Sequence, residues 1–276
     1  MLTGVATSFT YRAHEQKNPL FGGILVFPKE KIAEVIGIAN HLFEVSDGRG
    51  IVLVAFAAPP PTHQPAILTL LVFNGPEEEA KRFYEPLFSL KPLGNTTRVM
   101  PYASANTLLN DSMAHGFRRS MKASAAVLPI DPTFASNLFK DLEDLLEKVH
   151  DAVLSMIVFE YFPYKKIIAV SQTATAFTNR GAYINLLFLP GWTGAKNDDE
   201  CREWARALRG KAEAEYNRRK VEVTDEVTRE SIGQYVNHNG KSLRTQLIFW
   251  KAANETKSLR LVRNPYMESM LQDWPS

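Results

Sequence analysis

The chain has 276 residues, of which 45% are hydrophobic and 22% charged, enough for a buried core in one large or two modest globular domains. Its 32 Lys and Arg against 30 Asp and Glu leave a net charge of +2, without the basic excess of a nucleic-acid binder. The lone Cys201 excludes an intrachain disulfide and a thiolate metal cluster, and no apolar run approaches the ~18 residues of a membrane span. The first residues show no charged stretch followed by an apolar one, so no secretory signal is expected in this chain and a cytoplasmic location is the default. The sequons at Asn95, Asn110 and Asn254 then read as chance matches.

Gly4 to Arg12 (GVATSFTYR) has the small, β-branched and aromatic alternation of a half-buried strand. Only Met1, Leu2 and Thr3 precede it, so it reads as the last strand of a unit that is missing. After the Asn18-Pro19 break, Gly22 to Phe27 predicts a buried strand. Pro28 then opens a helix with Ile32, Val35, Ile36, Ala39, Leu42 and Phe43 on one stripe. Ile51 to Ala58 and Ala66 to Phe73 predict two strands, and the short Pro59-Pro60-Pro61 connection implies an antiparallel pair. Asn74-Gly75-Pro76 turns into a helix whose first turn, Glu77-Glu78-Glu79, complements the helix dipole.

Asp131-Pro132 is an N-cap followed by proline at the first helical position, ahead of the stripe Phe134, Leu138, Leu142, Leu145, Leu146 and Val149. Val153 to Tyr161 and Lys166 to Ser171 predict a hairpin around Phe162-Pro163-Tyr164. Tyr183 to Leu189 predicts another strand. A long helix follows Asn197, with Asp198, Asp199 and Glu200 in its first turn and Arg218, Arg219 and Lys220 near its end. Strands outnumber helices and connect by hairpins or single helices, which predicts an α+β fold: a large, mostly antiparallel sheet covered by helices on one face. No internal repeat and no low-complexity tract is visible.

The six histidines show no metal-ligand spacing. Asp47-Gly48-Arg49-Gly50 reads as a turn rather than a phosphate loop, and no G-x-S-x-G elbow supports a hydrolase triad. His115-Gly116-Phe117-Arg118-Arg119 reads as a solvated basic turn rather than an anion site. Two loops could carry a site. Thr173 to Gly181 is small and polar, with Phe177 and Arg180, and leads into an apolar strand. Gln234 to Gly240 brings together a phenol, an amide and an imidazole that can hydrogen-bond a polar ligand. Each is equally compatible with a plain loop.

Taken in order, several segments resemble the berberine-bridge-enzyme-like FAD-linked oxidoreductases of the vanillyl-alcohol-oxidase superfamily, the fungal members in particular. Gly4 to Phe9 is similar to the strand that ends the family's flavin domain, and Gly22 to Pro28 and Phe73-Asn74-Gly75 to the segments after it. Met100-Pro101-Tyr102 through Asn106 is similar to the family's M-P-Y…N stretch. Ala176 to Gly181 resembles its A-F-x-N-R segment, with Trp192 at the matching distance. Trp204-Ala205-Arg206 resembles its W-x-R helix, and Tyr235 to His238 its Y-x-N-Y motif.

The resemblance implies FAD as cofactor and a two-electron oxidation of a small secondary metabolite by hydride transfer to flavin, the chain positioning substrate and base. By position, His238 is the implied base, with Tyr235 and Gln172 behind it, although the Gln172 amide cannot replace the acid that plant relatives carry nearby. Asn237 is the implied flavin contact, and Phe177, Asn179 and Arg180 the implied substrate contacts. The implied division is 1–16 as the last strand of a truncated FAD domain, 17–222 as the substrate domain, and 223–276 as a remnant of the segment that returns to the flavin, diverged after about 240. The implied partners are a small-molecule substrate and a separately encoded FAD domain or a second copy, with no nucleic acid and no membrane. Full-length relatives are often secreted, which leaves the location open. The alternative is a non-catalytic remnant or small-molecule-binding module unable to hold FAD alone.

Overall fold

In the computed structural model, which describes residues 7–110, 115–171, 174 and 180–224, the aliphatic runs form strands and the 3.6-periodic stretches form helices. In chain order these are β1 (Leu20–Phe27), α1 (Ile32–Val45), β2 (Gly50–Ala57), β3 (Ala66–Asn74), α2 (Glu77–Ser89), β4 (Gly94–Asn95), β5 (Arg98–Met100), α3 (Tyr102–Ala105), β6 (Arg118–Arg119), β7 (Lys122–Val127), α4 (Pro132–Lys148), β8 (Met156–Tyr161), α5 (Lys165–Ile168), β9 (Tyr183–Leu189), β10 (Gly191–Trp192) and α6 (Asp198–Lys220). The main sheet has the order β4-β1-β3-β2-β8-β9-β7, with β5 also paired to β1. Every pairing in it is antiparallel.

One face of this sheet is covered by helices. The predicted stripe of α1 is buried residue for residue and packs with Phe21, Leu25, Phe27, Val54, Phe56, Leu71, Phe159, Leu186 and Phe188 from the strands in one continuous core. Asp131 caps α4, its Oδ1 accepting from Thr133 N–H at 2.7 Å, with Pro132 at the first position. Asn40 ties α1 to the approach to α4: its Nδ2–H donates to Ile130 O and its Oδ1 accepts from Ile130 N–H, both at 2.9 Å. Gly23 has φ +150°, and a Cβ there would lie 2.6 Å from Thr97 Cα. The glycine is what lets the 94–97 segment lie against β1.

The topology contains a repeat that the sequence hides. β1-α1-β2-β3-α2 and β7-α4-β8-β9-α6 have the same strand-helix-strand-strand-helix order. The sheet order places their strands as β1-β3-β2 followed by β8-β9-β7, so the halves meet about a pseudo-twofold between β2 and β8. The absence of a visible repeat in the sequence is therefore corrected at the level of structure.

Two strand expectations also fail. Residues 7–12 form no strand, and Phe9 and Tyr11 are 71% and 81% exposed; the alternation is present but no described strand lies alongside to pair with it. Lys166 to Ser171 is not the second arm of a hairpin. Both edges of β8 are taken, by β2 and β9, and the chain after Tyr164 instead winds into α5, with Ile168 N–H bonded to Tyr164 O at 3.0 Å. Tyr164 stacks on Phe43 at 4.7 Å and anchors that turn.

Candidate active-site face

Alternation sends every second side chain of the six long strands to the face away from the helices. Across the paired strands, one row on this face runs Ile24, Leu70, Leu53, Glu160, Asn185, Ala125. The next runs Val26, Leu68, Ala55, Val158, Leu187, Ala123. On the other side lie Gly22, Val72 and Ile51 from the first half and Tyr183 and Val127 from the second. Ala55, Ala123, Val158, Leu187 and Leu189 form a thin apolar cluster there, with Leu53, Leu68 and Met156 half-buried around it. No described helix packs on it, yet Ala55, Leu70, Ala123, Ala125, Val158 and Leu187 are buried and Leu53, Glu160 and Asn185 half-buried, so the face is a flat apolar layer of small and aliphatic side chains with little exposed surface.

Glu160 is the one charged residue in these rows. Its Oε2 accepts from Asn185 Nδ2–H at 3.0 Å, and among the described residues it forms no ion pair. Burial pushes its carboxyl above the usual carboxylate range, outweighing the opposing effect of the Asn185 hydrogen bond. The pseudo-twofold makes the position conspicuous. The row reads Ile24-Leu70-Leu53 in the first half and, in reverse order of strands, Glu160-Asn185-Ala125 in the second. The strands equivalent to β8 and β9, β2 and β3, thus contribute leucines to the same row.

Arg180 enters β9 at the same end. It is buried, and its Nη1–H donates to Ile167 O at 3.1 Å, tying the strand entry to α5. Tyr183 follows, two positions before Asn185 on the same face. The other residues singled out from the sequence, Gln172, Phe177, Asn179, Tyr235, Asn237 and His238, lie outside the described residues. Glu160 and Asn185 were missed because each sits in a strand that reads as apolar. Their signal is a single acid and a single amide on one phase of two otherwise aliphatic strands.

Elsewhere the polar clusters are structural. Arg118 is exposed as expected, but it sits on β6 and is paired: its Nε and Nη2 donate to Asp198 at 2.5 and 2.6 Å, while Trp192 Nε1–H donates to the same carboxylate at 2.9 Å. The Arg118 bonds, followed by that from Trp192, hold the Asp198 carboxyl down at about 2. Asp47-Gly48 is the expected turn, with Gly48 at φ +99° and Asp47 Oδ1 accepting from Arg49 N–H at 3.0 Å. Burial first, then the neighbouring acids, pushes the Cys201 thiol up to about 11, so it is a packing residue rather than a nucleophile.

No protein-family model matches the chain. A curated FAD-linked oxidoreductase of Aspergillus terreus, pgmH, is 28% identical over 195 residues, covering 64% of this chain and 37% of that protein. FAD-linked oxidoreductase srdI of Neurospora crassa is 22% identical over 206 residues, covering 71% and 40%. In sequence the chain is thus similar to part of these FAD-linked oxidoreductases. Its fold is that of 6-hydroxy-D-nicotine oxidase from Arthrobacter nicotinovorans (TM-score 0.60, 14% identity, 86% of this chain and 52% of that one). It is equally that of berberine bridge enzyme from Eschscholzia californica (TM-score 0.57, 15% identity, 84% and 47%). The chain spans about two-fifths of the length of the curated relatives it matches.

The cofactor of these oxidoreductases is FAD. The chemistry of this face suits its ring end: Ala55, Ala123, Ala125, Leu53 and Val158 make a flat apolar surface that matches a flat ring, and Glu160 and Asn185 offer the only charge and amide in the three rows. Among the described residues, no glycine-rich turn at a helix N-terminus offers a pyrophosphate cradle.

Proposed function

We propose that this chain is the substrate-binding part of an FAD-linked oxidoreductase that oxidises a small secondary metabolite by two electrons. The sheet face away from the described helices forms the wall of the substrate site. The observation that carries this reading is that face, apolar across six strands except for Glu160, Asn185 and Tyr183, in a chain related to FAD-linked oxidoreductases. When bound, FAD supplies the two-electron acceptor. The chain's own contribution is to exclude water with the apolar rows, to orient the substrate against them, and to hold a proton acceptor at the centre of the wall. Arg180 holds the entry to β9, and the motif resemblance alone supports His238, Tyr235, Asn237, Phe177 and Asn179 as further residues of the site.

The flavin-bearing portion supplies the pyrophosphate contacts, whether it lies in the same polypeptide or in a separate chain. Purification in excess FAD tests the reading, alone and after co-production with the flavin-bearing part of a relative. The expected result is a visible flavin band that co-elutes with the protein, at least in the second case. A colourless protein in both cases refutes it in favour of a binding module that does not use FAD.

A further inference from the structure

We propose that Glu160 and Asn185 form a recognition pair for a flat, apolar ligand that donates one hydrogen bond from an O–H or N–H group, Glu160 accepting that bond and Asn185 positioning Glu160. The inference deepens the reading above, by naming the class of molecule that the wall takes, and rests on it for the identity of the face.

Three observations converge on the pair. Its neighbours in the rows are aliphatic except for the Tyr183 phenol and carry no charge. β2 presents Leu53 opposite Glu160, β8 presents Val158 beside it, and β9 presents Leu187 and Tyr183 on either side of Asn185. No charged side chain from these strands faces the carboxylate, and no ion pair among the described residues neutralises it. Second, Asn185 occupies one carboxylate oxygen, Oε2, at 3.0 Å, and no described residue donates to the other, so the acceptor is oriented and half-used. Third, the pseudo-twofold supplies an internal comparison: the first half builds the same row from Leu53 and Leu70. The carboxylate and amide are therefore the polar exceptions in a row whose first half is wholly aliphatic.

An acceptor set in a flat apolar wall discriminates sharply. A ligand that fills the wall but lacks a donor leaves the desolvated carboxylate oxygen without its hydrogen bond, whereas one with a donor satisfies it. The shape of the wall sets the flat, apolar body of the ligand, and the pair sets its single donor.

The test is equilibrium binding to the full chain, followed by the ligand's fluorescence, with 2-naphthol and its donor-free analogue 2-methoxynaphthalene as probes. A naphthylmethylammonium ion serves as a third probe to separate O–H from N–H donors. The expected result is that one of the two donors binds about tenfold or more tightly than 2-methoxynaphthalene. Glu160→Leu, which copies Leu53, abolishes that preference while leaving 2-methoxynaphthalene binding within about twofold. Asn185→Leu, which copies Leu70, reduces the preference several-fold without changing the donor-free probe; a merely structural role would move both probes together. Equal binding of all three probes to the wild type, no detectable binding of either donor, or an unchanged preference in Glu160→Leu overturns the inference. FAD uptake, measured on the same preparations, is read separately. Uptake with no donor preference removes this inference and leaves the oxidoreductase reading, and a Glu160-dependent preference without FAD uptake does the reverse.

Discussion

Replacing Glu160 by Gln tests the electrostatics of the wall directly. The carboxyl lies between Leu53 and Asn185 in a row with no counter-charge, and burial raises its pKa above the ordinary 4.5. A raised carboxyl pKa means that the folded chain binds this proton more tightly than the unfolded chain does. Ionisation therefore works against folding. The cost is absent below the ordinary value, grows as the pH rises from there to the raised value, and is fully present above it. Gln has the same shape, keeps an oxygen for the Asn185 Nδ2–H and never ionises. The variant should match the wild type at pH 4 and be more stable at pH 7. The gain at neutral pH is about 1.4 kcal/mol for each pH unit by which the folded and unfolded values differ. Each kcal/mol corresponds to about 2–4 °C in Tm for a chain of this size. The assay is urea or thermal unfolding of both proteins at half-unit steps from pH 4 to pH 8. A difference that does not change with pH, or a Gln variant that is less stable at pH 7, refutes the argument that the wall desolvates an unpaired carboxylate.

Three further substitutions probe the covered side of the sheet. Thr69 is fully buried on β3 and its hydroxyl has no hydrogen-bond partner, so Thr69→Val, which keeps the shape, should raise the unfolding free energy by about 1 kcal/mol; a loss in denaturant titration would mean the hydroxyl is satisfied. Gly23→Ala places a Cβ 2.6 Å from Thr97 Cα at φ +150°, and should cost about 3 kcal/mol or detach the 94–97 segment. Faster amide exchange at Thr96, whose N–H bonds Ile24 O, reports the second outcome, and a neutral result by both measures rejects the close approach. Asn40→Ala removes both hydrogen bonds to Ile130 and should cost about 2 kcal/mol with m unchanged; a cost below 0.5 on the same ~kcal/mol scale would show that solvent replaces them.

The helical layer was legible in the sequence because its signals are local. The α1 stripe and the Asp131-Pro132 cap each lie within a few turns of chain, and burial follows the pattern. What escaped depends on neighbours distant in sequence. Lys166 to Ser171 has strand-like residues but no free strand edge to join. β7, Lys-Ala-Ser-Ala-Ala-Val, has little intrinsic strand preference, yet it pairs along its length with β9 and packs against α6. Exposed alternation at 7–12 shows the converse, since a pattern without a partner does not make a strand. The recognition pair was hidden for a related reason. Glu160 is the fifth of the six residues of β8 and Asn185 interrupts β9, and only the antiparallel register of the two strands brings them opposite each other. The motif residues at 172–179 and 235–238 came from family resemblance, a source that carries no register.

The pseudo-twofold explains why a site forms on one half of this sheet. Two similar strand-helix-strand-strand-helix units, joined through β2 and β8, make a wall wider than either could alone, and at their junction the row passes from Leu53 to Glu160. A symmetric wall of leucines would be the more stable surface, because it contains no desolvated charge. It would also be indifferent to which flat molecule lay on it. Breaking the symmetry at Glu160 and Asn185 introduces a cost in the second half that the first half does not bear, and with it a direction: a ligand lying across the junction meets aliphatic side chains at one end and an acceptor at the other. Fold and specificity therefore draw on different residues of the same row, and substitutions at Leu53 and at Glu160 should act on separate properties even though the two side chains face each other across one pair of strands.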